Sequence, residues 1–391
     1  MLKNYFILFL ILGSFIFLKA QTTNEILVHD GLNRQYILHI PASYNSNVAT
    51  PLVLSLHGLG DNIANFSQAG FHQVADTANF IVATPQAIDF SYLGFSVGAA
   101  WNSGVGAYVD GTSLGIPITG NVFPNENIED VAFLSTLIDS ISANFNVDLE
   151  RVYATGFSMG GFMSNRLAVE LNNKIAAIAS VAGTLGSNVN TSNASPIPIL
   201  HIHGTSDATI SYDGNNPNGS LYTILGDSVP GLLDFWVNNN QCDPNPSYNA
   251  NYAMVSGHSV EYYKWDNGLD STVVEHLKIN GADHEWFAPF YPREIWNFFK
   301  QHKNKDIEIP SAIRTISELS DLILYPNPAE NILHLSSASK LAAVRIFNSQ
   351  GQEILRTENT NSINIEHLHA GIYFVIVEAE NSINKLSFIK K

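Results

Sequence analysis

The chain has 391 residues, more than a single domain usually holds, so one large unit with a smaller one beside it is expected. Its 35 acidic residues outnumber 19 basic ones, and the resulting net charge of −16 repels phosphate backbones and anionic membrane surfaces, which makes nucleic acid a poor partner. Cys242 is the only cysteine, so no intrachain disulfide can form and stability must come from a packed core.

At the start of the chain, Lys3 precedes an apolar stretch from Tyr5 to Leu18, followed by Lys19, Ala20 and Gln21. This is the layout of a signal peptide over residues 1–20, with cleavage after Ala20. The stretch is short for a membrane span of about 20 apolar residues, and no later segment is long and apolar enough. The mature chain is therefore expected to be secreted, with no stable membrane insertion. Strands are predicted at Glu25–Val28 and Gln35–Ile40 around the turn-forming Asp30 and Gly31. Pro51–Leu56 is almost continuously apolar, as in a strand buried on both faces, and it ends in His57 and Gly58.

Helix and strand signals then alternate: helix Ser67–Ala78, strand Phe80–Thr84, helix Glu129–Phe145, strand Arg151–Thr155, helix Met159–Leu171, strand Ile175–Val181. Strand Ile197–Ile202, helix Leu232–Asn238, strands Val260–Trp265 and Thr272–Ile279, and helix Glu294–Lys303 follow. Such alternation predicts an α/β unit over residues 21–303 with a mostly parallel central sheet. Glu129 and Asp130 fall in the first turn of their helix, where its dipole favours negative charge. Residues 304–320 read as a linker and 321–391 as a small all-β domain, with strands at Val344–Phe347, Ile372–Val377 and Leu386–Ile389.

Gly156, Phe157, Ser158, Met159 and Gly160 form a GxSxG between a predicted strand and a predicted helix. A nucleophilic serine needs that sharp turn at the carboxyl edge of a sheet, and the glycines relieve crowding around it. Met159, Phe162, Met163, Leu167 and Leu171 define the core face of the following helix, so the Met159 N–H points toward the site as one oxyanion donor.

A serine hydroxyl also requires a base and an acid that orients the base. In α/β-hydrolases these follow in the order Ser, acid, His. His201, His203 and His276 lie in or at the end of strands, His258 precedes one, and His302, His334, His367 and His369 lie in the last helix or the β domain. His284 instead occupies a loop after a strand and before the last helix, the station expected of the base. Asp207 likewise follows a strand, in His203-Gly204-Thr205-Ser206-Asp207, while Asp213, Asp234 and Asp283 compete as turn or cap residues. The second oxyanion donor is expected at Leu59 N–H, between Gly58 and Gly60, with His57 structural. Trp101, Asn102 and Trp286 are the candidate substrate-binding residues. No metal or organic cofactor is implied.

Segments 51–58 (PLVLSLHG), 130–139 (DVAFLSTLID), 151–168 (RVYATGFSMGGFMSNRLA), 175–183 (IAAIASVAG), 203–207 (HGTSD) and 281–286 (GADHEW) occur in one order. Through them Glu25–Lys303 resembles secreted esterases that include polyhydroxybutyrate depolymerases and the feruloyl and acetylxylan esterases of carbohydrate esterase family one. The resemblance implies an α/β-hydrolase fold and a triad of Ser158, Asp207 and His284. It departs at Ala282, Asp283 and Phe287, where members commonly show a glycine-rich segment before the histidine and a proline after the tryptophan, so the pocket rim is expected to differ. Cysteine pairs that many members carry near the site are absent.

Residues 324–329 (LYPNPA), 371–377 (GIYFVIV) and 386–391 (LSFIKK) make the C-terminal domain similar to the type A sorting domain of the type IX secretion system. That implies the type IX machinery as a partner. A carbohydrate-binding module is the rival, disfavoured by the terminal lysines and by the lack of tryptophan after Trp296. The implied activity is a secreted serine carboxylic ester hydrolase, its substrate a polyester or the feruloyl or acetyl esters of plant polysaccharide. A serine peptidase would use the same triad but tends to carry a large extra domain. A non-catalytic polysaccharide-binding protein would have no need of all three triad residues.

Overall fold

In the computed structural model an antiparallel pair opens the chain: β1 (Gln21–His29) and β2 (Leu32–Ile40) meet across a turn in which Asp30 and Gly31 both have positive φ. The described residues are 20–110, 119–214, 222–304, 322–336, 341–348, 353–358, 360–369, 371–379 and 382–391. The expected signal peptide, apart from Ala20, and the expected linker, apart from Asn304, lie outside them. The chain divides into two compact units, Met1–Ile307 and Glu308–Lys391.

In the larger unit β3 (Thr50–Leu56) is buried at every position. Its Leu52, Leu54 and Leu56 face one apolar cluster and Val53 the other, the period-two alternation of a strand covered on both sides. After it come α1 (Ile63–Phe66), α2 (Phe71–Ala78), β4 (Ile81–Pro85) and a hairpin of β5 (Ile88–Tyr92) and β6 (Phe95–Ala100). Next are β7 (Gly106–Asp110), β8 (Thr119–Val122), α3 (Asp130–Asn144), β9 (Val147–Phe157), α4 (Met159–Glu170), β10 (Ala177–Val181) and β11 (Ile199–Gly204). The unit closes with β12 (Tyr222–Leu225), α5 (Val229–Asn239), β13 (Ser247–Val255), β14 (His258–Trp265), β15 (Val274–Ile279) and α6 (Phe290–Phe299).

Ten of these strands form one sheet in the order β1-β2-β4-β3-β9-β10-β11-β15-β14-β13. The six from β4 to β15 run parallel and both flanks are antiparallel. Helices α3, α4 and α5 pack on one face of the sheet, α2 and α6 on the other. This is an α/β-hydrolase fold. From β3 the chain steps to β4 on one side and to β9 on the other, so the carboxyl ends of β3 and β9 mark the switch point where open α/β sheets bind ligands. His57-Gly58 and Ser158 stand at those two ends. A second small sheet, β12-β7-β8, carries the long irregular stretch between β6 and α3.

Several elements differ from the sequence reading, three of them for an evident physical reason. β9 begins at Val147, because pairing with Thr50 of β3 extends it beyond its apolar stretch. β13 is an edge strand, exposed over most of its length, and its Asn-rich sequence carries no apolar alternation. α6 starts at Phe290, with Pro292 in its first turn, where the missing N–H costs nothing. Asp130 does open α3, but its carboxylate is buried and meets the Arg34 guanidinium at 2.6 Å instead of facing solvent.

In the smaller unit β16 (Ile323–Tyr325), β17 (Ile332–Ser336) and β20 (Ser362–Asn364) form one sheet. β18 (Leu341–Phe347), β19 (Glu353–Glu358), β21 (Gly371–Ala379) and β22 (Ser382–Lys390) form another. Leu333, Val344, Ile346, Val375, Val377 and Phe388 make their shared core.

The Arg34–Asp130 pair ties β2 to α3, with the guanidinium 3.8 Å from the Phe133 ring. Removing one partner leaves the other charge buried and uncompensated, so Asp130→Asn is expected to cost about 3–5 kcal/mol of stability. A fall in the urea midpoint of the full chain measures it; an unchanged midpoint contradicts the assignment.

Candidate active site

Ser158 leaves β9 with φ 55° and ψ −119°, a conformation that costs an L-residue about 1–3 kcal/mol and persists only when its surroundings enforce it. The enforcement is backbone packed on backbone. A Cβ on Gly156 would lie 2.4 Å from Gly160 C, and one on Gly160 would lie 2.1 Å from the Leu56 carbonyl oxygen. Ser158 N–H donates to Val181 O at 2.8 Å, fastening the turn to β10.

The expected acid and base meet. His284 Nδ1 lies 2.7 Å from Asp207 Oδ2, and Asp207 Oδ1 accepts from Thr209 N–H at 2.9 Å and Ile210 N–H at 2.7 Å. Burial alone would raise the Asp207 carboxyl, but hydrogen bonds from His203 and His284 outweigh it and hold the group well below the usual carboxylate range. Of the competitors, Asp213 and Asp234 are exposed. Asp283 caps two backbone N–H groups, of Ala208 and His284, and so joins the two loops that present acid and base. Ser158 and His284 line the same cavity, and no hydrogen bond joins them among the described residues. Such bonds commonly form only once substrate is bound.

The loop after β3 lies against the serine: a Cβ on Gly58 would stand 3.3 Å from Ser158 Cβ. His57 is buried and its Nε2 accepts from Ala87 N–H at 3.1 Å, so Nδ1 carries the proton and donates to Gly58 O at 2.7 Å. In a trans peptide the carbonyl and the next N–H point to opposite sides, so this bond turns Leu59 N–H away from His57. Neither Leu59 N–H nor Met159 N–H donates to a protein acceptor among the described hydrogen bonds. Burial pushes the His57 imidazole down against the opposing pull of Gly58 O and Asp61, which keeps it neutral.

The cavity measures about 560 Å³ and is largely apolar. Phe90, Tyr92, Val97, Val109, Val122 and Ile224 come from the hairpin and the small sheet, Val105 from the segment just before β7, Phe157 and Phe162 from the turn at Ser158 and α4, and Ile210 from the loop that carries Asp207. None of these was singled out from sequence as a cavity-lining residue. Short strands with little alternation carry no signal of which side they line, although Phe157 and Phe162, within and just after GxSxG, were in plain view.

The three residues expected to bind substrate lie outside the cavity lining. Trp101 is fully buried, and its indole donates to His57 O at 2.9 Å from behind the loop that carries Leu59. Asn102 is buried and holds Glu126 O and Ile128 O with its amide, while its N–H donates to Asp130 Oδ2 at 2.7 Å. Trp286 donates to Ala69 O and packs among Phe66, Phe71, Phe157 and Tyr291. All three brace the loops, and none lines the cavity.

Residues 43–217 match the phospholipase/carboxylesterase family, and residues 323–391 match the secretion system C-terminal sorting domain. Over 284 residues the chain is 29% identical to feruloyl esterase D of Neurospora crassa, covering 70% of this chain and 83% of that protein. It is 27% identical over 283 residues to a bifunctional acetylxylan esterase/xylanase of Neocallimastix patriciarum, and 28% over 277 residues to feruloyl esterase B of Piromyces equi. Those matches cover 72% and 68% of this chain but only 35% and 45% of the two relatives.

Because Asp207 titrates lower in the folded chain than in the unfolded one, its ionised form contributes stability above the ordinary carboxylate value of about 4, and this is lost as the pH falls below it. Asp207→Asn is expected to be less stable than the wild type by about 1–3 kcal/mol at neutral pH, with the gap narrower at about pH 3. Urea denaturation at both pH values measures the gap; a constant difference contradicts the expectation.

Proposed function

We propose that this chain, an esterase-like α/β-hydrolase joined to a secretion-system sorting domain, is a secreted serine carboxylic ester hydrolase working through Ser158, His284 and Asp207. The observation that carries the reading is the His284–Asp207 couple at 2.7 Å on the wall of the cavity that Ser158 also lines. In this reading Ser158 Oγ attacks the ester carbonyl while His284 Nε2 takes its proton. Leu59 and Met159 N–H hold the oxyanion, and His284 returns the proton to the departing alcohol. Water, activated by the same imidazole, then cleaves the acyl-enzyme and frees Ser158. Asp207 stays ionised throughout, orienting His284 and stabilising its charged form.

Among candidate esters, the apolar cavity favours an aromatic acyl group of hydroxycinnamoyl size, as on feruloylated plant polysaccharide, over acetyl. Burying one aromatic ring removes about 150–250 Å² from water, worth an upper limit of about 4–6 kcal/mol that an acetyl group forgoes. Names of two relatives agree with this: both are feruloyl esterases. The C-terminal unit is read by the type IX secretion machinery in this proposal, and the polymeric substrate is met outside the cell.

Hydrolysis of a p-nitrophenyl ester by the full chain and by Ser158→Ala tests the nucleophile. A loss of more than about 10⁴-fold in kcat is expected, and a variant that keeps its activity refutes the assignment. On a panel of methyl ferulate, acetylated xylan and polyhydroxybutyrate, kcat/KM for the feruloyl ester is expected to exceed that for acetyl by at least about tenfold. Preference for acetyl or for the polyester would overturn the acyl assignment and leave the nucleophile standing.

A further inference from the structure

Behind Asp207 lies a run of buried polar side chains that the proposed reaction does not use. His201 and His203 project from the same face of β11, and His276 from β15 stacks beside His201 with ring centroids 5.5 Å apart. The direction of each hydrogen bond can be read from its end points. His203 Nε2 lies 2.8 Å from Ile210 O, and a carbonyl only accepts, so Nε2 carries the proton. The same Nε2, whose N–H is aimed at Ile210 O, stands 3.3 Å from Asp207 Oδ2. His203 Nδ1 is then a bare acceptor, and His201 Nε2 donates to it at 3.1 Å. That leaves His201 Nδ1 to accept from Ser180 O–H at 2.7 Å. His276 joins from the side: its Nδ1 donates to His201 O at 3.0 Å and its Nε2 accepts from Tyr212 O–H at 2.9 Å. One consistent set of tautomers satisfies every nitrogen. Burial, followed by the neighbouring imidazoles, drives His201 well down, and burial takes His276 to about 3, so both remain neutral.

From this geometry we infer that His203 is a positioning residue for the ester hydrolysis proposed above: it supplies a fourth N–H to the Asp207 carboxylate and keeps Oδ2 aimed at His284 Nδ1. The inference rests on that reading of Ser158, Asp207 and His284. Two backbone N–H groups hold Oδ1, and His203 Nε2 and His284 Nδ1 converge on Oδ2. Without His203, Oδ2 would have His284 as its sole donor, and the carboxylate could swing with the imidazole. The Ile210 carbonyl fixes which nitrogen of His203 bears the proton, and the run through His201 to Ser180 on β10 satisfies the other nitrogen.

A residue that acts through the orientation of His284 affects the transition state more than substrate binding, so kcat is expected to fall and KM to stay. The test uses the full chain with p-nitrophenyl butyrate. His203→Gln can place an N–H near the Nε2 position and is expected to keep kcat within about threefold, whereas His203→Met and His203→Asn cannot reach Asp207 and are expected to lose on the order of tenfold in kcat with KM within about twofold. Wild-type kcat in folded Met or Asn variants, or an equal loss in a folded Gln variant, overturns the inference. Should the Met and Asn variants fail to fold, the Gln variant decides: retained kcat supports the role and a tenfold loss refutes it. Wild-type and Ser158→Ala controls separate the two levels. A wild-type chain with no esterase activity refutes the underlying reading, while an active wild type with an indifferent His203 refutes only this one.

Discussion

Everything at the switch point depends on one close approach, that of the Gly156 and Gly160 backbones to each other and to the carbonyl of Leu56. With no Cβ at either glycine, α4 can start directly against the ends of β3 and β9, and Ser158 is forced out of the sheet at a positive φ. The strain at the serine is thus supported by main-chain packing among parallel strands buried on both faces. It does not depend on any side chain that could change rotamer.

Two buried polar networks extend this rigidity to either side of the serine. On the oxyanion side, Ala87 N–H, His57 and Trp101 hold the loop that carries Leu59, and beyond them Arg34, Asp130 and Asn102 tie β2 to α3. On the acid side, histidines stacked along β11 and β15 stand behind Asp207. Both supports approach from the interior, which leaves the solvent side of the site to apolar side chains. A site in such surroundings keeps its geometry because most of its buried donors and acceptors are hydrogen-bonded to one another.

Parts of this arrangement were legible in the sequence for physical reasons. The alternation of elements identified the parallel sheet, and GxSxG between a strand and a helix located the sharp turn, because close backbone packing tolerates only glycine there. Asp207 and His284 could be proposed because each follows a strand end, and strand ends in a parallel sheet lie along one edge. Trp101, Asn102 and Trp286 lie outside the cavity lining, because the sequence of an irregular loop does not tell which side of it a side chain occupies. The irregular backbone after β6 turns Trp101 inward, where its indole finds the His57 carbonyl. The cavity walls were illegible for a related reason: they come from short antiparallel strands whose pattern does not distinguish a cavity-lining position from a core one.

The long reach of the contacts that assemble the site has a consequence in time. Ser55 of β3 pairs with Thr155 of β9, about 100 residues later, and Trp286 closes on Ala69 across 217 residues. Contacts so remote in sequence form slowly, since a long loop must close before they reward the chain. A growing polypeptide therefore holds Ser158 long before it holds His284. Ser158, Asp207 and His284 cannot come together until nearly the whole larger unit has been synthesised and has folded, and their order in the chain alone imposes that delay.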